Sequence, residues 1–312
     1  MEYKRLGRTD LKVSAIAFGG ATFGREIDQP TAWALLDRAL EKGITLIDTA
    51  ESYSNRESER MIGEWLQERK TRQKIVLATK CGFTGPLSGQ AVSQKVDQSL
   101  NCLKTDTIDL FQLHHWPLEN DPVDEILEAL SRSVEQGKVR YLGLSNSAAW
   151  QLCKALWHQD NNTWSRFDTI QPQYNLADRS IEKEMLPLCQ DQGIGIISYS
   201  PLGGGFLAGK YTQDGAIPAG TRFDYATDWR DGYFNQLNFS LVERLRRVSS
   251  EEGRSLVDLC LAWTLTRPFI TSVLIGGRKL AHIDQAFESL EKGLSAPLQD
   301  LLEKLSDPTS FG

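Results

Sequence analysis

Eight short apolar runs recur along the chain, and a polar residue, a loop and an amphipathic stretch follow most of them. The runs are VSAIAF (13–18), ITLI (44–47), KIVLAT (74–79), IDLFQL (108–113), VRYLGL (139–144), DTIQP (168–172), IGIISY (194–199) and TSVLI (271–275). Continuous apolar runs of this length suit strands covered on both faces. Between them, apolar residues recur at three- and four-residue spacing. TAWALLDRALEKG (31–43), ESERMIGEWLQER (57–69), SQKVDQSLNCL (93–103), PVDEILEALSRSVEQG (122–137), SIEKEMLPLCQDQG (180–193) and SLVDLCLAWTL (255–265) are therefore predicted helices. Strand and helix alternate throughout. Eight such units predict a (β/α)8 TIM barrel, with residues 1–312 as a single domain. A doubly wound sheet is the runner-up, but its glycine fingerprint is missing. The turn after the first strand reads FGGATFG (18–24), without GxGxxG spacing.

Two departures from the repeat carry information. EYKRL and LKVS flank GRTD near the start, which predicts a small β-hairpin before the first barrel strand. After the seventh strand comes a long glycine- and aromatic-rich stretch, PLGGGFLAGKY…FDYATDWRDGYFNQ, over 200–240. A loop of that length in a compact fold is usually functional, and its aromatics agree with that reading.

Composition narrows the function classes. Apolar residues make up 40% and charged residues 24% of the 312, and the net charge is −6. An acidic chain argues against a nucleic acid as the main partner. No run approaches the roughly eighteen apolar residues of a membrane span, and the N-terminus, MEYKRLGRTD, lacks a signal-peptide core. Cys81, Cys102, Cys153, Cys189 and Cys260 are odd in number and scattered, with no CxxC. That pattern fits reduced thiols in the cytoplasm, neither a disulfide framework nor a metal site.

The active face of such a barrel lies at the C-terminal ends of its strands. Those ends carry Asp48, Lys80, His114, Ser145 and Asn146, Gln171, Tyr199, and Gly276-Gly277-Arg278, with Tyr53 five residues past Asp48. Alone, each has an ordinary explanation. Asp48 and the Ser145-Asn146 pair serve as helix caps, Lys80 as a snorkelling surface lysine, His114 and Gln171 as hydrogen-bonded structural groups, and Tyr53 as a packed loop aromatic. Together, an Asp, a Lys, a His and a Tyr on one rim form a proton-transfer set. A phenol is a poor acid at neutral pH, with an ordinary pKa of about 10. A neighbouring ammonium favours its ionised form, an aspartate keeps that ammonium charged and oriented, and a histidine polarises a substrate oxygen.

GITLIDTAESY…SE resembles the aldo-keto reductase signature GxxxxDTAxxY…SE. The segments ATK (78–80), DLFQLHHWP (109–117), GLSN (143–146), QPQYN (171–175) and YSPLGGGFLAGK (199–210) follow in that family's order, after the opening YKRLGRTDLKVSAIAFGGATFG (3–24). The resemblance spans essentially the whole chain and implies the same barrel. It also implies a catalytic tetrad of Asp48, Tyr53, Lys80 and His114, with His115 as an additional residue. The cofactor it implies is NADPH in preference to NADH, bound along the rim. Ser145, Asn146 and Gln171 would hold the nicotinamide carboxamide, and Tyr199 would stack on the ring. Ser200, Leu202 and Gly204 would approach the pyrophosphate, Gly276 would also contact the cofactor, and Arg278 would clamp the 2′-phosphate, with Lys279 as a second cation. Gln285-Ala286 stands where relatives commonly carry Glu-Asn against the adenine. Phe23, Trp116, Tyr174 and aromatics of 200–240 are the candidate pocket for a small carbonyl substrate, an aldehyde, ketone or sugar. A nucleotide-binding regulatory subunit, like the potassium-channel β-subunits of the family, is the second reading. A metal-dependent lyase using His114 and His115 with Asp48 is a third, which the chain's four histidines and lack of an HExxH cluster disfavour.

Overall fold

In the computed structural model, which describes residues 1–83, 85–213, 215–225 and 227–307, the chain opens with the expected hairpin. Strand β1 (Tyr3–Arg5) pairs antiparallel with β2 (Lys12–Ser14), Lys4 opposite Val13. The run VSAIAF is therefore divided. Its Val-Ser belongs to the hairpin, and the barrel strand β3 (Ile16–Gly19) starts two residues on. The Ser14 hydroxyl donates to the Ile16 carbonyl at 2.6 Å across this break.

Seven more strands follow: β4 (Leu46–Asp48), β5 (Val76–Cys81), β6 (Ile108–Leu113), β7 (Val139–Ser145), β8 (Phe167–Gln171), β9 (Gly195–Tyr199) and β10 (Ser272–Gly276). With β3 they close into a barrel in which every neighbouring pair is parallel, and β10 joins β9 to β3. Helices cover its outside: α1 (Gln29–Glu41), α2 (Glu57–Arg69), α3 (Gly89–Leu103), α4 (Val123–Glu135), α5 (Ala149–Asn161) and α6 (Met185–Gln192). Between β9 and β10 lie α7 (Arg222–Tyr225), α8 (Thr227–Tyr233), α9 (Gln236–Glu252) and α10 (Leu256–Leu265), and α11 (Leu280–Lys292) and α12 (Ala296–Leu305) end the fold.

Helix α5 escapes the periodicity search because Trp150 and Trp157 lie on its exposed face, blurring the amphipathic contrast. The predicted helix 180–193 is in fact a 3-10 turn, Ser180–Glu182, followed by α6. The stretch 200–240 is not a structureless loop. It holds the tight turn Gly203–Ala208, α7, α8 and the start of α9.

Alternation along the strands decides which groups face the barrel axis, because successive side chains point to opposite faces. Ile16, Phe18, Ile47, Leu77, Phe111 and Leu113 pack outward in the large core beneath the helices. Ala17, Leu46, Val76, Ala78, Leu110, Ile197 and Leu274 form a separate inner cluster, closed from below by Leu6, Leu11 and Val13 around the hairpin. Two residues further along β4, β5 and β6, the same inward parity delivers Asp48, Lys80 and Gln112. The apolar plug ends where the polar layer begins.

Candidate active site

Asp48 and Lys80 meet inside the rim, each about 1% exposed. The Lys80 ammonium donates to Asp48 Oδ2 at 2.5 Å and to the Thr49 carbonyl at 2.8 Å, and it lies 3.4 Å from the Tyr53 oxygen. Burial works against charge on Lys80, yet the field of Asp48 and contact with Tyr53 outweigh it and hold the lysine pKa above its ordinary value. The lysine is thus a fixed ammonium at any physiological pH. His114 stands on the other side of Tyr53, ring centres 5.8 Å apart and nearly perpendicular. Burial, then the charges of Lys80 and His115, push its pKa down to about 2. Its imidazole is therefore neutral and serves as a hydrogen-bonding group, with Nδ1 3.4 Å from Ser52 Oγ.

The backbone presents Tyr53 through an unusual turn. Ser54, Asn55 and Arg56, none of them glycine, all take left-handed φ values of 50, 50 and 67°. That conformation is costly for L-residues. A buried ion network opposes the cost. Arg56 donates to Glu51 at 2.9 Å and to Glu59 at 2.6 Å, Lys95 reaches both oxygens of Glu51 at 2.8 Å, and the Gly82 N–H donates to Glu51 at 2.8 Å. The sequence pattern placed Tyr53, but this supporting network was not recognised. Its signal is the spacing of Glu51, Arg56 and Glu59 around the tyrosine.

Two amides, Gln112 and Gln171, meet the other oxygen of the aspartate. Asp48 Oδ1 accepts from Gln171 Nε2 at 2.9 Å and from Gln112 Nε2 at 3.2 Å. Gln112 escaped sequence reasoning; the period-2 parity that picked Lys80 also picks it. Beside them Ser145 Oγ donates to the Gln171 carbonyl at 2.8 Å. Asn146, left-handed at φ 46°, donates to the His114 carbonyl and accepts the Tyr199 hydroxyl at 2.6 Å. The structure thus brings Asp48, Tyr53, Lys80, His114, Ser145, Asn146, Gln171 and Tyr199 together on one rim.

A second polar region lies past β9 and β10. Ser200 is left-handed, and Gly203, Gly204 and Gly205 all have positive φ. A Cβ at Gly203 would lie 2.6 Å from the Tyr233 ring, so glycine is demanded here by packing as well as by torsion. Leu202 caps the turn, its carbonyl accepting from Gly205 and Leu207. Next to the turn, burial and Arg278 lower the pKa of Lys210, and burial with Arg278, Lys279 and Lys210 lowers that of His282. The Arg278 N–H donates to His282 Nδ1, and its guanidinium donates to the Gly220 carbonyl and lies 3.9 Å from Glu26. Like charges crowded in this way favour an anion among them. Together with the donors and acceptors of the rim, they fit a dinucleotide, whose phosphates are anionic. Lys210 is a further missed residue, visible as the lysine closing PLGGGFLAGK. Gly276 is exposed at the end of β10, and Gln285 lies in α11 with its carbonyl accepting from Ser289.

A cavity of about 540 Å³ adjoins the rim, lined in part by Phe83, His115, Asn146, Asp178, Tyr199 and Tyr233. His115 Nδ1 lies 2.6 Å from the Trp116 carbonyl, and its ring centre is 6.0 Å from that of Phe83. Trp116 is half-buried against the core, its ring 6.3 Å from the exposed Trp150 ring. Tyr174 does not reach this cavity. It is fully buried, stacked on Trp263, and its hydroxyl donates to Glu182 at 2.5 Å. Phe23 is likewise fully buried, packed near Phe18, and belongs to the core. The aromatics of 200–240 mostly pack on one another: Phe206, Tyr211, Phe223, Tyr233 and Phe234 form a cluster with centroids 5.2–6.2 Å apart. Among the described residues, no three of His, Cys, Asp and Glu are grouped as a metal site.

The model of the aldo/keto reductase family matches residues 15–306. The chain belongs to that family. An uncharacterised oxidoreductase of Bacillus subtilis is 35% identical to this aldo/keto reductase, over 98% of this chain and 95% of its own. Norsolorinic acid reductase B of Dothistroma septosporum is 30% identical over 95% of this chain and 79% of its own. A probable voltage-gated potassium channel subunit beta of Arabidopsis thaliana is 33% identical over 93% and 92%. This aldo/keto reductase is a nicotinamide-dependent oxidoreductase acting on carbonyl groups. No helix among its described residues is long and apolar enough to cross a membrane.

Proposed function

We propose that the enzyme is a cytoplasmic, NADPH-dependent carbonyl reductase in which Tyr53 is the general acid. The observation that carries this reading is the Lys80 ammonium, locked to Asp48 and 3.4 Å from the Tyr53 oxygen. When bound, the nicotinamide supplies a hydride to the carbonyl carbon. The protein's part is to manage the negative charge and the proton. Tyr53 donates its proton to the substrate oxygen, and the ammonium steadies the charge left on the phenol. His114, held neutral, hydrogen-bonds the same oxygen without competing as a proton donor. Ser145, Asn146 and Gln171 hold the carboxamide and Tyr199 stacks on the ring. Ser200, Leu202 and Gly204 flank the pyrophosphate, while Arg278, helped by Lys210 and Lys279, binds the 2′-phosphate, with Gln285 toward the adenine.

The cavity also suggests a substrate class. Its lining mixes aromatic faces with one carboxylate, Asp178, which accepts from Gln173 and Ser180. That composition suits an uncharged aromatic or hydroxylated carbonyl compound better than an anionic one. A regulatory role like that named for the potassium-channel relatives would not need so complete a buried acid-tuning set. The test is consumption of NADPH with an activated aldehyde. Wild-type turnover that disappears in Tyr53→Phe, with NADPH binding retained, is the expected result. Turnover surviving that substitution would remove Tyr53 from its role.

A further inference from the structure

We infer that Gln112 is a positioning residue for the catalytic acid, acting through Asp48. This rests on the reading of Tyr53, Lys80 and Asp48 just given. Asp48 is almost wholly buried, and its two oxygens have distinct partners. Oδ2 takes the Lys80 ammonium, whereas Oδ1 takes the Gln112 and Gln171 amides. Gln171 Nε2 also lies 3.5 Å from Gln112 Oε1, so the two amides brace one another. Both hydrogens of Gln171 are thus directed inward, and its carbonyl oxygen is left to accept from a carboxamide. Gln112 is fully buried in the strand next to Lys80, opposite it in register.

The barrel makes room for this side chain. Gly143 is Gln112's partner on β7, and a Cβ there would lie 2.9 Å from Gln112 Cγ and 2.3 Å from Thr169 Oγ1. An apolar residue at 112 would fill the space equally well, continuing the plug of Leu110 below. The amide instead delivers an N–H to a buried carboxylate, where an unmet lone pair is expensive. Its effect is to fix the plane of Asp48 and share its charge. Oδ2 then faces Lys80, and the ammonium stays at the Tyr53 oxygen. Through Gln171 the same brace joins the carboxamide seat to the acid.

Gln112→Met and Gln112→Glu, each verified as folded, test the inference. Met preserves volume without a donor. It should lower kcat by about tenfold while NADPH affinity, read by tryptophan fluorescence, stays within about twofold. A glutamate facing Asp48 retains a proton at low pH and donates it to Oδ1, but loses it as pH rises. Besides Asp48, the ionisable groups packed around this point are Lys80, Tyr53 and His114. The kcat of Gln112→Glu, as a ratio to wild type, should approach unity near about pH 5.5 and fall about tenfold by about pH 8.5. The Gln112→Met ratio should be flat over the same range. A kcat for Gln112→Met within twofold of wild type, or a Gln112→Glu ratio independent of pH, would overturn the proposal. A wild type with no aldehyde turnover would instead defeat the underlying reading.

Discussion

The two ends of the barrel use charge in opposite ways. At the lower end, Asp109 on β6 is nearly buried and receives the Leu77 N–H at 2.9 Å, Arg72 at 2.8 Å and Arg140 at 2.8 Å. Arg140 also reaches Asp10 in the hairpin at 2.8 Å. Every oxygen there is answered by the protein itself. At the upper end, Lys80 is held by Asp48 but aimed at Tyr53, and burial together with the charge of Arg278 holds the pKa values of Lys210 and His282 below their ordinary values. Six residues of one strand and loop, Asp109 to His114, span both regimes. Self-satisfied charge builds stability; charge left leaning toward a cavity is available for chemistry.

The comparison can be broken at several points. Tyr53→Phe should lower kcat by about 10²–10⁴-fold with little change in melting temperature, since only a hydroxyl is lost. Asp109→Asn should do the reverse. It uncovers two arginines, and we expect a loss of about 3 kcal/mol in denaturant titration with kcat of the folded enzyme intact. Removing the cation in Arg278→Ala should weaken NADPH about tenfold and NADH about twofold. An equal loss for both cofactors would take Arg278 away from the 2′-phosphate. Carboxybenzaldehyde should be a poorer substrate than its methyl ester, and Asp178→Asn should narrow the ratio by about fivefold through removal of a repulsive charge.

The smallest effect concerns Asp168 at the lower end, whose pKa burial raises to about 6 despite Arg8 and Arg166. An unfolded aspartate titrates near about 3.9, so the folded chain holds this proton more tightly. Its contribution to stability is therefore greatest at low pH and declines as pH rises from about 4 to about 6. Asp168→Asn should flatten that decline, leaving the variant about 1 kcal/mol more stable than wild type near neutrality. An unchanged pH dependence of stability would show that Arg8 fully compensates the burial.

The fold was legible because buried parallel strands and their covering helices leave strong periodic signals. Where they failed, local features explain it: exposed tryptophans on α5, and a serine-stabilised break inside VSAIAF. At the site, strand-end position located Asp48, Lys80 and His114. Tyr174 and Phe23 misled because an aromatic near a rim looks the same in sequence whether it faces the cavity or the core. Only the stack on Trp263 and the bond to Glu182 separate the two cases. Gln112, Lys210 and the Glu51–Arg56–Glu59 network were hidden for a different reason. Their importance lies in which atom each one meets, and that is set by register and backbone torsion.

The left-handed triplet after Tyr53 has a consequence for anyone reshaping this enzyme. Its torsions are tolerated by glycine and asparagine and resisted by branched side chains. A saturation library at Ser54 and Asn55 should consequently return mostly those two amino acids among active clones. Arg56 should return almost only itself, because glycine would ease the torsion but take from buried Glu59 its arginine and from Glu51 one of its two cations. Evolvability at this corner is rationed by backbone geometry rather than by the breadth of the pocket, so changes of substrate range are best sought at Phe83 and Asp178.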